Sequence, residues 1–311
     1  MSPGTRGPPG GQHVTAALAS FLVFVGFAGL FGGAVARRRL AGVTVPGGWP
    51  LWWGVGAGLI LAGVVLGVGT TLAVLGFTAP GDVLAYLTAT GPGRAALTTL
   101  LGTALLLAAG VGGWPERPSL GVTGLGAAIT VWGIAGQGHG ADHGLLVRLA
   151  HALHTGAMAL WVGGVAALWG GRLRDWPGAA RAFTPLAVVG VVMLTVSGLC
   201  MGLEHAGPIS QWPREPYGRL VLVKVAVSAA ALYAATRVRR HLSRRERPRG
   251  ELLLELTLLV LVLGLTAVLV NSDPGQHGET GTSRRASPLV ASPALEARHP
   301  APLKNLLVRR P

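Results

Sequence analysis

The stretch that decides the fold is LLVRLAHALHTGAMALWVGGVAALWG, from Leu145 to Gly170. It carries one charge, Arg148, near its start. A helix rises 1.5 Å per residue, and roughly 20 apolar residues cross the hydrocarbon of a bilayer. The stretch therefore reads as a membrane-crossing helix. Two imidazoles, His151 and His154, sit on it three residues apart, so they share one helix face. His151 falls roughly 9 Å below the helix start and His154 roughly 13 Å. Met158 and Trp161 continue the same stripe. An ionisable residue at such depth is a functional hypothesis by default.

The rest of the chain agrees with a membrane protein. Half of its 311 residues are hydrophobic, 12% are charged and 49 are glycine. Soluble domains carry about twice that charge, and small residues suit close helix packing in lipid. The 20-residue rule gives about eight spans, near 14–35, 51–75, 95–113, 120–136, 145–170, 183–205, 217–237 and 251–271. The fourth is short and glycine-rich. Predicted here is an all-α, polytopic transmembrane bundle. Its divisions are an N-terminal segment 1–13, a four-helix half 14–136, a second half 137–271 and a polar, proline- and serine-rich tail 272–311, read as disordered. The first span is followed by Arg37, Arg38 and Arg39, which reads as a retained helix rather than a cleaved signal.

The net charge of +14 does not point to nucleic acid, because the basic residues sit in short clusters between apolar runs. Arginines crowd the segments 36–50, 114–119, 171–182 and 238–250, whereas the alternate segments hold few. By the positive-inside rule the crowded segments are cytoplasmic and both termini face outward. An internal duplication is also suggested. TGPGRAALTTLLGTALLLAA (Thr90 to Ala109) parallels EPYGRLVLVKVAVSAAALYAA (Glu215 to Ala235), and GLFGG in the first span parallels WVGG in the fifth. Two four-helix units in the same orientation would follow.

That topology brings several donors to one outer level. The sixth span ends in SGLCMGLEH, supplying Cys200, Met201, Glu204 and His205. The connection before the fifth span adds His139, Asp142 and His143. With His151, His154 and Met158, the set offers imidazole, thioether and thiol, which suit a soft or borderline metal, copper first. Most also have a plainer reading: a helix–helix hydrogen bond for His151 and His154, packing for Met158 and Cys200, an interfacial position for Glu204 and His205, solvation for His139 and His143. Lys224 in the seventh span could pair with Glu204, Arg219 is expected to snorkel, and Glu251 and Glu255 are expected to partner the arginine-rich segment before them or to be interfacial residues. The lone cysteine, Cys200, excludes an internal disulfide framework and a CxxC site. No phosphate-binding loop indicates an ATP-driven pump.

At these residues the chain resembles the CopD/PcoD copper resistance protein D family. RLAHALHTGAMALWVGG (Arg148 to Gly164) is similar to the family's His-to-Trp-Gly-Gly signature, with His154 seven residues before the Trp and His151 an additional match. FTPLAVVGVVMLTVSGL (Phe183 to Leu199), YGRLVLVKVAV (Tyr217 to Val227) and LELTLLVLVLGLTAVLVNSDP (Leu254 to Pro274) follow in the family's order. The resemblance implies a bacterial inner-membrane protein, not an enzyme, that takes up copper from the periplasmic side. It also implies a separate CopC-like periplasmic copper-binding protein as partner. The rival readings are a b-type haem protein, which would need a facing His such as His205, and a copper-binding assembly factor that does not transport.

Overall fold

In a computed structural model the chain is described at residues 11–40, 42–77, 79–113, 115–137, 144–205, 209–241 and 247–272. Among these residues there are nine helices: α1 (Gly11–Arg39), α2 (Gly48–Leu75), α3 (Pro80–Ala89), α4 (Gly91–Val111), α5 (Glu116–Ala135), α6 (Gly144–Gly170), α7 (Trp176–His205), α8 (Pro216–Arg240) and α9 (Arg249–Val270). All but α3 are long and apolar enough to cross a membrane. These eight match the spans expected from sequence, the short fourth one included. The expected starts lie up to seven residues inside the observed ones, most for α7, whose first turns hold Trp176 and Arg181 before the apolar run begins.

Helix α3 was not anticipated. Ten residues are too few to span, and it is a short connecting helix. Pro80 opens it and Asp82 accepts the Ala79 backbone N–H at 3.1 Å. Thr90 then caps α4, its hydroxyl accepting from the Gly93 N–H at 3.0 Å.

Successive spans pack as antiparallel hairpins: α1 with α2, α4 with α5, α6 with α7, and α8 with α9. Helix α6 is the hub, packed against α1, α5, α7 and α9. Its small residues permit this. A Cβ built on Gly163 would stand 2.2 Å from the Ala28 carbonyl oxygen and 2.6 Å from Gly32 Cα, so α1 and α6 cross backbone to backbone. In α1 this crossing falls on a single π-helical turn, Ala28–Gly32. A wide turn leaves carbonyls poorly matched along the ladder, and Trp52 of α2 donates its indole N–H to the Gly29 carbonyl there at 2.8 Å.

The arginine-rich segments meet at one end of the bundle. Arg38 donates to Ser119 Oγ at 2.6 Å and Thr123 Oγ1 at 3.0 Å, tying the end of α1 to the start of α5. Thr44 and Arg172 exchange backbone hydrogen bonds. Arg247 donates to the Leu168 and Trp169 carbonyls at the end of α6. Burial, and secondarily Arg249, lower the pKa of Arg247 from the ordinary guanidinium value. At the opposite end Asn271 donates to Ser20 Oγ at 2.9 Å, and Gln137 to Thr99 Oγ1 at 3.0 Å. We call these the basic end and the far end.

Candidate functional site

His154 lies on α6 toward the far end and faces α7. Its Nδ1 is 3.0 Å from Ser197 Oγ. The Ser197 hydroxyl also reaches the Met193 carbonyl one turn back, at 2.5 Å. A hydroxyl has one hydrogen to give. With that hydrogen on Met193, the Ser197 oxygen accepts from the ring, and the Nδ1–H tautomer of His154 follows. The Nε2 lone pair is then left for a further ligand. Gly198 completes the seat: a Cβ there would lie 3.3 Å from His154 Cε1, so the ring rests against bare backbone.

The neighbours on α6 keep the expected stripe. His151 is half-buried one turn nearer the far end, and Met158 is 9% exposed one turn deeper. Lys224 lies on α8, and the side chain of its expected partner Glu204 is outside the described residues. Arg219 instead turns back to the loop before α8, donating to the Pro213 carbonyl at 2.9 Å.

The set expected from α7 arrives differently. Ser197, not Cys200, is the side chain delivered to His154. At about 100° per residue, Cys200 falls about 60° round the helix from Ser197, and it is exposed. Met201 is half-buried. Glu204 and His205 continue the backbone of α7, but their side chains lie outside the described residues, as do His139 and His143 entirely. Among the described residues, no three His, Cys, Asp or Glu side chains gather as a metal centre.

One group was misread from sequence. Glu251 does partner the arginine-rich segment, lying 3.9 Å from Arg237 and 3.5 Å from His241. Glu255, one turn deeper, does not. It is 3% exposed and accepts the Trp161 indole N–H at 2.8 Å. Trp161 belongs to the α6 stripe of His151, His154 and Met158. A polar line thus runs about 15 Å along α6, from His151 to the level of Glu255. The signal in the sequence was a glutamate one helical turn inside an apolar run.

The spans and their buried polar line define a multi-span α-helical membrane protein. Residues 177–270, which make up α7, α8 and α9, match the family model for CopD, copper resistance protein D. Over its last three spans the chain is therefore similar to copper resistance protein D. The match takes in Ser197, Cys200, Lys224 and Glu255. It is narrower than the resemblance read from sequence, because His151, His154 and Trp161 lie before its first residue. No curated protein and no solved structure matches the chain.

Proposed function

We propose that the protein binds copper at His154 near the far end of the bundle and passes it inward along α6. The observation that supports this most is the Ser197 seat, which orients the ring with its Nε2 lone pair available to a metal. A hydrogen bond to the other ring nitrogen is the usual device for fixing a metal-binding imidazole. The Met158 thioether, one turn deeper, is a soft donor suited to Cu(I) and to release rather than storage. His151, Met201, Cys200, Glu204 and His205 are the proposed additional donors, together with His139 and His143, which lie outside the described residues. In this reading the far end faces the periplasm of a bacterial inner membrane, because the basic end carries the arginines that remain cytoplasmic. A separate CopC-like protein would deliver the ion.

The deciding experiment is Cu(I) uptake into proteoliposomes holding the full chain, wild type against His154→Ala. Uptake by the wild type that falls to the protein-free level in the variant is expected. Copper that is retained stoichiometrically but never reaches the lumen would refute transport and leave a binding protein. Equal uptake by both proteins would refute the site.

A further inference from the structure

Glu255 is untouched by the copper reading, and its surroundings are unusual. It closes the second turn of α9 and lines an open-sided cavity of about 210 Å3 between α6, α7, α8 and α9. Its polar lining residues are Glu255, Thr184, Thr236, Arg239 and Trp176. Arg239 also borders a second opening, shared with Arg181, so the cavity leads toward the basic end.

Among the described residues no ion pair neutralises the carboxylate. Among the described residues its hydrogen-bond partner is the Trp161 N–H, and the ion pairs of this end are made by Glu251. On α8, Arg237 faces Glu251 and Arg239 lines the cavity. On the segment before α9, His241 also faces Glu251, and Arg247 is bound to the Leu168 and Trp169 carbonyls. On α7 the lining residues carry no charge. On α6 the nearest titratable group is His154, two turns beyond Trp161. On α1, the only titratable group ahead of Arg37 in the described residues is His13.

One indole donor does not offset a full negative charge in hydrocarbon. The carboxyl therefore needs a positive partner that can come and go. A metal ion is a poor candidate, since no second carboxylate, imidazole or sulfur lines the cavity and metals demand several donors. A proton needs only one. We propose that Glu255 is a proton-exchange site, loaded and unloaded through the cavity that leads to Arg239. The step is the transfer of the carboxyl proton to a water molecule in the cavity, giving carboxylate and hydronium. The Trp161 N–H holds the carboxyl in place in both states and is a positioning group. The site adds a proton-handling activity that the copper reading does not contain.

The test uses the full chain in liposomes with no metal added, so its result is independent of whether copper is carried. Dicyclohexylcarbodiimide partitions into membranes and adds to protonated carboxyls. Peptide mass spectrometry should find the adduct on Glu255. Its rate should fall about tenfold per pH unit once the acid is mostly ionised. Glu255→Gln should lose the adduct. Trp161→Phe removes the donor that favours the carboxylate, so the fall should move to higher pH, a shift that a purely structural role would not produce. Absence of an adduct on wild-type Glu255 at every pH overturns the proposal. So does an adduct whose rate ignores pH.

Discussion

Gly163→Ala should separate the two helices at the centre of the bundle. The added Cβ would lie 2.2 Å from the Ala28 carbonyl oxygen and 2.6 Å from Gly32 Cα. Comfortable non-bonded contact begins near 3.5 Å, so α6 must move away from α1 by about 1 Å. Both opposing atoms are backbone, and no rotamer change can relieve them. Overpacking of this kind costs typically 1–3 kcal/mol. Alanine's higher helix propensity returns at most about 1 kcal/mol, so the net effect is destabilising. Gly58→Ala on α2 is the control, because its Cβ would meet nothing within 4 Å and only the propensity gain remains. Thermal unfolding in detergent, followed by the fluorescence of the nine tryptophans, should show Gly163→Ala melting several degrees below wild type and Gly58→Ala at or above it. A Gly163→Ala protein as stable as wild type would refute the backbone crossing.

Two other outcomes follow from the site and its surroundings. Ser197→Ala removes the oxygen that accepts from His154 Nδ1, freeing the ring to rotate and change tautomer. Losing such an outer partner typically costs 10- to 100-fold in metal affinity, so Cu(I) competition titration should show a loss of about that size, whereas Ser197→Thr should retain most of the affinity. Arg247→Ala strips the donors from the Leu168 and Trp169 carbonyls at the end of α6. Hydrogen bonds to a charged group contribute about 1.5–3 kcal/mol. A lower melting point and faster proteolysis of the segment between α8 and α9 are expected, and an unchanged melting point would count against that cap.

The spans were legible because apolar length is a one-dimensional property, and the arginine clusters were legible because charge must sit outside hydrocarbon. What the sequence hid is three-dimensional phase. Soft-donor chemistry drew attention to Cys200, yet the 100° step of the helix puts Ser197 against His154 and leaves Cys200 exposed. Glu251 and Glu255 looked alike beside the arginines. One turn of depth divides them, one within reach of Arg237 and His241, the other beyond it and against Trp161. Helix α3 is too short for apolar length to reveal it. The Ala28–Gly32 turn has no side-chain signature at all.

That wide turn has a consequence for how one helix serves several neighbours. An uninterrupted apolar helix presents a single stripe that drifts slowly along its length. One surplus residue advances everything after it by roughly 100°. Before the surplus, α1 packs mainly on α2 and α9; at and after it the main partner becomes α6, joined by α7, while α2 stays in contact. The first span thus works like a shaft with a keyed joint: its two sections turn their main load onto different neighbours, and Trp52 of α2 pins the joint between them.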